Sequence, residues 1–131
     1  MKNVLVVIDM QNDFIDGSLG TKEACKTVDP VIRLIETSDD TVFATLDTHG
    51  LDYLSTLEGK KLPVEHCIKD TDGWKIKTEI YRSIIRWGDR GIITAYQQET
   101  WRVSDHYRMR WIDTCTYGCA ADPASVDQSG R

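Results

Sequence analysis

The chain has 131 residues, a formal net charge of -5 and a pI near 5.1, a size that allows one domain with a hydrophobic core. This acidic charge gives no electrostatic attraction to nucleic acid or to an anionic membrane, so we expect neither as a partner and favour a small neutral or cationic ligand. The five consecutive apolar residues near the N-terminus are too few for a signal peptide, and no apolar run approaches the length of a transmembrane helix.

The first predicted element is a buried strand over residues 3–8, where aliphatic and β-branched residues lead directly to Asp9. Asp9 should therefore lie at the carboxyl end of this strand. Open α/β sheets bind ligands at the carboxyl ends of their strands, which favours a functional role for this acid. The alternative is that Asp9 only caps the following turn, as acids after strands often do.

A helix should follow, because Asp29 and Pro30 resemble an N-cap with proline in the first turn. Its apolar stripe at helical spacing consists of Val28, Val31, Ile32 and Ile35. A second strand is predicted over residues 41–46, which completes a right-handed β-α-β unit. Asp47 and His49 come just after this strand, so two parallel strands should bring carboxylates to one edge of the sheet.

Residues 50–66 lack a sustained period and are predicted to form an ordered loop, and long loops are often functional. The composition of residues 70–73 predicts a turn. Ile76, Ile80 and Ile84 then recur every fourth residue, as on the buried face of a helix.

Two more strands are predicted in the last third of the chain. One covers residues 91–96. The other lies within residues 101–111, where large apolar residues at alternate positions are typical of a half-exposed strand.

The basic residues change type along the chain. All eight lysines lie at or before Lys77, whereas seven of the eight arginines lie at or after Arg82. We therefore expect a single domain with a core over residues 1–80, followed over residues 81–131 by a segment that is either divergent or frame-shifted.

The four cysteines are Cys25, Cys67, Cys115 and Cys119. Without a predicted signal peptide we expect a cytoplasmic protein whose thiols stay reduced. In that setting Cys25 and Cys67 are predicted to be small buried hydrophobic side chains.

Three separated segments, in this order, resemble the isochorismatase-like cysteine hydrolases, the family that includes nicotinamidases. They are VLVVIDMQNDFIDGSLGTKEA, FATLDTHGLDYL and LEGKKLPVEHCIKDTDGWKI. The resemblance extends from Met1 to about Ile80 and largely fails beyond it. It implies an α/β fold in which helices flank a parallel sheet in three α/β/α layers, incomplete at the C-terminus.

The resemblance also implies catalytic residues. Asp9 matches the family's aspartate, which takes the proton of the nucleophilic cysteine and passes it to the leaving amine. Cys119, in the segment CTYGC, matches the nucleophile, which opens a helix where backbone N–H groups favour a thiolate. Two departures accompany this match: Tyr117 replaces the family's Asp, and the family's catalytic lysine has no counterpart after Lys77.

Asp47 and His49 are two residues apart, so on an extended backbone their side chains project to the same side. With His66 they would supply one carboxylate and two imidazoles, the ligand count of a catalytic metal site with an open position. The resemblance to nicotinamidases implies one divalent metal there, Zn, Fe or Mn. Members with that site add another histidine, which residues 50–65 lack, so the alternative is that both histidines are hydrogen-bonded loop residues.

The activity that the resemblance implies is cysteine-dependent hydrolysis of the C–N bond of a small amide, nicotinamide above all, through a thioester and with release of ammonia. One alternative is a non-catalytic truncated remnant of the family that binds a ligand. Another is a vinyl-ether hydrolase of the isochorismate type, which keeps the aspartate and dispenses with the cysteine. Related enzymes are commonly oligomeric, so a homo-oligomer is compatible with the sequence.

Overall fold

The computed structural model describes residues 2–86 and, beyond them, the backbone of two strands at residues 91–94 and 107–112. The four strands are Lys2–Val7 (β1), Thr41–Leu46 (β2), Gly91–Thr94 (β3) and Tyr107–Ile112 (β4). The α-helices are Asn12–Ile15 (α1), Lys22–Thr37 (α2), Leu57–Lys61 (α3) and Thr78–Ile85 (α4), with a 3-10 turn at Tyr53–Ser55.

The strands form one sheet in the order β3-β2-β1-β4, and every neighbouring pair is parallel. β1 and β2 pair from Val4 opposite Thr41 to Val7 opposite Ala44, so both strands end at the same edge. Helices α2 and α4 pack against each other and cover the sheet. The α/β class and the parallel sheet predicted from the sequence are confirmed.

The hydrophobic core lies between the sheet and these two helices. All four residues of β1 from Val4 to Val7 are at most 7% exposed, as expected of a central strand that is covered on both faces. β2 instead buries alternate residues. The residues that meet in this core include Leu5, Val7, Val31, Ile35, Val42, Ala44, Ile80 and Ile84.

The start of α2 differs from the prediction. The helix begins at Lys22 rather than near Asp29, and the side chain of Thr21 caps it by accepting the N–H of Ala24 at 2.9 Å. Pro30 therefore lies inside the helix, where it has no N–H to donate. The prediction failed because Asp-Pro is a common start signal, but the buried face extends one and a half turns further back, to Ala24.

The remaining elements follow the sequence pattern closely. Ile80 and Ile84 are fully buried in α4, and Ile76 precedes the helix and is also buried. The excursion at residues 50–66 contains the 3-10 turn and α3. β3 lies within the predicted range 91–96, and β4 overlaps the second half of the range 101–111 and ends one residue beyond it, while the side-chain pattern of β4 falls outside the described residues. Among the residues that the structure describes, no helix has the length and apolar character needed to span a bilayer.

Helix α4 provides a matched pair for testing this packing, since Ile80 is fully buried and Ile85 is 54% exposed. Ile80→Ala should lower the free energy of unfolding by about 2–5 kcal/mol, because it leaves a cavity in the core. Ile85→Ala should change it by less than about 0.5 kcal/mol. Urea unfolding followed by circular dichroism measures both, and equal losses would contradict the assignment of the buried face.

Candidate functional site

Asp9 lies at the carboxyl edge of the sheet, two residues beyond β1, and its backbone is left-handed with φ of 49°. Aspartate tolerates this conformation better than most residues that carry a β-carbon. The hydroxyl of Thr45 in β2 accepts the Asp9 N–H at 3.1 Å and donates to Asp9 Oδ1 at 2.6 Å. The half-buried carboxylate is therefore oriented by the neighbouring strand.

Asp47, His49 and His66 meet at the same edge. One potential ligand atom from each lies within 4.8 Å of the others. His49 Nε2 is 2.9 Å from Asp47 Oδ2, and His66 Nε2 is 3.5 Å from the same oxygen. The imidazoles are 3% and 2% exposed and the carboxylate 16%, so the cluster is largely but not completely removed from water.

The orientation of His66 suits metal binding. Its Nδ1 lies 2.8 Å from the carbonyl oxygen of Val64, and because a carbonyl only accepts, Nδ1 carries the proton. In the neutral ring, Nε2 then presents its lone pair towards Asp47. The rings of Phe14 and Tyr53 pack against His66 at centroid distances of 5.5 and 5.0 Å, and Tyr53 also contacts His49 at 4.6 Å.

Gln11 holds the backbone of Asp47 from both sides. Its Oε1 accepts the Asp47 N–H at 2.8 Å, and its Nε2 donates to the Asp47 carbonyl at 2.9 Å. The same amide nitrogen donates to the carbonyl of Trp74 at 2.6 Å. Gln11 is completely buried, and these three bonds satisfy an amide that would otherwise be costly to bury.

The two described cysteines differ in their surroundings. Cys67 is buried, as predicted, whereas Cys25 is exposed because it lies outside the buried stripe of α2; the prediction for Cys25 was wrong. Burial raises the pKa of the Cys67 thiol, and the carboxylates of Asp47, Asp13 and Asp9 raise it further. In the metal-free chain, Cys67 is therefore a thiol at neutral pH and not a thiolate nucleophile.

A cavity of about 620 Å³ lies beside this cluster. It adjoins Leu46, the last residue of β2, and Trp74, whose carbonyl is bonded to Gln11. Its other lining residues are Asn12, Asp72, Lys75, Ile76, Thr78 and Tyr81. Among the residues that the structure describes, Asp9, Asp47, His49 and His66 do not line the cavity, so it borders the metal cluster without containing its ligand atoms.

The structure brings the three predicted metal-ligating residues together and places Asp9 at the same sheet edge. Asp9 and Asp47 follow the carboxyl ends of the paired strands β1 and β2, and Thr45, two residues before Asp47, bonds Asp9. The predicted nucleophile Cys119 lies outside the described residues.

Sequence reasoning missed Gln11 and Thr45. A signal for Thr45 was present, because parallel pairing of the two predicted strands places it near Asp9. A weaker signal for Gln11 was an amide three residues beyond the predicted buried strand, where a polar side chain needs several partners.

A comparison of the sequence with protein-family models found a match. The isochorismatase domain model matches residues 3–84, more than half of the chain. A search of curated proteins found no match.

Several solved structures are similar to the chain. N-carbamoylsarcosine amidase from Thermoplasma acidophilum is 34% identical over 72% of this chain and 52% of that protein, with a TM-score of 0.58. Pyrazinamidase of Pyrococcus horikoshii, solved in complex with zinc, is 26% identical over 79% and 56%, with a TM-score of 0.56. Nicotinamidase/pyrazinamidase from Bacillus subtilis is 22% identical over 73% and 57%, with a TM-score of 0.60, a likeness that shows the fold alone. The chain spans about half the length of these relatives.

The raised pKa of Cys67 predicts a loss of stability in alkali. Below about pH 8 the Cys67 thiol is protonated in both the folded and the unfolded chain. As the pH rises past the ordinary thiol pKa of 9.0, the unfolded chain loses this proton while the folded chain retains it. The free energy of unfolding should therefore fall by up to about 1.4 kcal/mol per pH unit above pH 9. Urea titrations between pH 7 and 10 measure this fall. Cys67→Ala should remove this contribution and Cys25→Ala should keep it; identical pH slopes in the two variants would contradict the prediction.

Proposed function

We propose that this chain, which belongs to the isochorismatase domain family, is a cysteine hydrolase that cleaves the C–N bond of a small amide such as nicotinamide. The family is one of hydrolases, and amidases are among the solved structures similar to the chain. The observation that carries the proposal is that Asp9 and the cluster of Asp47, His49 and His66 follow the carboxyl ends of two paired strands at one sheet edge. Open α/β sheets bind their ligands at such edges.

In this proposal Asp9 is the general base and acid, and Cys119 is the nucleophile. Asp9 accepts the thiol proton of Cys119 as the sulfur attacks the amide carbonyl, and it then gives that proton to the leaving nitrogen, so ammonia departs and a thioester forms. Water next attacks the thioester, releasing the carboxylic acid and restoring the thiol. The hydrogen bond from Thr45 supports this role, because it fixes the direction of the carboxylate.

Asp47, His49 and His66 are the residues that would hold a divalent metal. Their donor set of one carboxylate and two imidazoles fits zinc, iron or manganese, and the lone pair of His66 Nε2 faces the cluster. When bound, such a metal would supply positive charge that orients a nitrogen or oxygen of the substrate. Tyr53 and Phe14 pack on the imidazoles and restrict the rings to this arrangement.

The sequence also supports a second candidate, a non-catalytic remnant of the family that binds a ligand. No lysine follows Lys77, and an arginine does not replace a compact ammonium where one is needed. A vinyl-ether hydrolase of the isochorismate type is a third candidate, because it would need Asp9 without Cys119. Thiol alkylation separates the three: it would abolish amide hydrolysis, spare vinyl-ether hydrolysis, and have nothing to inhibit in the remnant.

The proposal further assigns a small-molecule substrate, a cytoplasmic location and no nucleic-acid or membrane partner. The net charge of -5 supports the exclusion of anionic partners. A homo-oligomer is compatible with the proposal.

The catalytic proposal predicts release of ammonia from nicotinamide by the full chain under reducing conditions. Asp9→Asn keeps the shape of the side chain but not its basicity, and Cys119→Ala removes the nucleophile, so each should lower the rate on the order of 10⁴-fold. The double variant should cost little more, because the two residues act as a unit. Cys115→Ala and Cys25→Ala are the matched controls and should retain activity. Activity that survives Cys119→Ala would exclude it as the nucleophile, and an inactive wild type would favour the remnant.

The metal proposal predicts that zinc raises the melting temperature of the protein. A ligand that binds only the folded state at about 100 times its Kd stabilises that state by about 2.7 kcal/mol. His49→Ala should abolish this rise, while His106→Ala, which changes the remaining histidine of the sequence, should leave it intact. Thermal unfolding with zinc and with excess chelator measures the effect. An equal rise in wild type and His49→Ala would place the metal elsewhere.

A further inference from the structure

Cys67 joins the two histidines of the cluster through its backbone. It directly follows His66 in the chain, and its carbonyl accepts the N–H of His49 at 3.0 Å. The carbonyl of His49 in turn accepts the N–H of Lys69 at 2.9 Å, which completes a short parallel bridge between the two segments. The position of the Cys67 peptide therefore sets the backbones of His49 and His66 relative to each other.

This peptide is held in an unfavourable conformation. Cys67 has φ of 47°, in the left-handed region that residues with a β-carbon rarely occupy. Such a conformation persists only where the surrounding structure holds it. The side chain that bonds the N–H of Cys67 is Asp13, 54 residues earlier in the chain.

Asp13 is held in place by several hydrogen bonds. Its Oδ2 accepts the Cys67 N–H at 2.8 Å, and its Oδ1 accepts the N–H of Ser18 at 3.2 Å, so both carboxylate oxygens are engaged. Its own backbone N–H donates to the carbonyl of Gly73 at 3.0 Å, which ties α1 to the far end of the same loop.

Gly73 leaves space for the carboxylate. A β-carbon at this position would overlap the carboxyl group of Asp13, because the three heavy atoms nearest to it would be Oδ2, Cγ and Oδ1 of that group. The backbone of Gly73 is not left-handed, so glycine is required here by the proximity of Asp13 rather than by its own torsion angles. The packing thus confines the carboxylate to the position from which it reaches Cys67.

We propose that Asp13 is a positioning residue of the metal site, which holds the left-handed Cys67 peptide so that His49 and His66 converge on Asp47. This inference rests on the metal site proposed above. Asp13 has no ligand role in it and acts only through the backbone of Cys67. Partners of this kind set the orientation of metal ligands and typically change metal affinity by about 10–100-fold when they are lost.

The test compares zinc affinity in two variants of the full chain. Asp13→Asn leaves one acceptor oxygen for the two N–H groups of Cys67 and Ser18, each of which now has its own carboxylate oxygen. Gly73→Ala displaces the Asp13 carboxylate without changing its charge. Both should raise the Kd for zinc by about 10–100-fold, measured by competition with a chromophoric chelator at pH 7. Cobalt spectra of the same variants should show altered ligand geometry.

The control is Thr27→Ala, which removes a buried hydroxyl from α2, an element that contributes no residue to the cluster. It should lower the melting temperature and leave the zinc Kd unchanged. If Asp13→Asn and Gly73→Ala likewise lower the melting temperature but bind zinc as tightly as wild type, Asp13 has only a structural role and the inference is overturned.

A metal-free measurement separates this inference from the metal proposal. In nitrogen-15 NMR spectra of the apo protein, Asp13→Asn and Gly73→Ala should shift the ring signals of His49 and His66 more than those of His106. A wild type that binds no zinc would overturn the metal site, and displaced ring signals would still support the positioning role. Unchanged ring signals in folded variants would overturn it.

Discussion

The parallel pairing of β1 with β2 is the constraint on which the candidate site depends. The register, Val7 opposite Ala44, ends both strands at one edge and brings Thr45 to Asp9. A slip by one residue would turn every side chain of β2 to the opposite face, breaking the Thr45 bond and exposing the buried residues of β2. Because β2 buries only alternate residues, the hydrophobic burial that fixes the register also fixes the site.

Beyond the edge of the sheet, backbone groups are hydrogen-bonded by side chains rather than by a neighbouring strand. Asp9, Gln11 and Asp13 occupy every second position of one short segment. Asp9 bonds Thr45 in β2, Gln11 bonds Asp47 directly after β2, and Asp13 bonds Cys67 in the loop that carries His66. Buried backbone groups in irregular segments need such partners, since leaving them unpaired costs about as much as a lost hydrogen bond. One segment thus organises both the candidate acid and the candidate metal cluster.

The sequence was most informative where a pattern is local. The apolar run before Asp9 predicted β1, and the recurrence of Ile76, Ile80 and Ile84 at every fourth residue predicted α4. The predicted start of α2 was wrong because Asp29 and Pro30 gave a competing local signal. Contacts between distant residues leave no local pattern. Gln11 bonds Asp47 36 residues away, and His66 could be joined to that acid only through a family resemblance. The boundary near residue 80 and the role of Cys119 stay predictions.

Several carboxylates lie close to the candidate metal cluster. Asp13 bonds the backbone of Cys67, Asp47 contacts the preceding His66, and Asp9 is held by Thr45 at the same sheet edge, so three partly buried carboxylates lie in this part of the structure. The described ion pairs of Asp47 are with His49 and His66, which are charged only when protonated. Carboxylates that crowd together in reduced dielectric repel one another, and a nearby cation offsets that repulsion. A divalent ion held by Asp47, His49 and His66 would place compact positive charge beside these carboxylates and would offset part of their mutual repulsion.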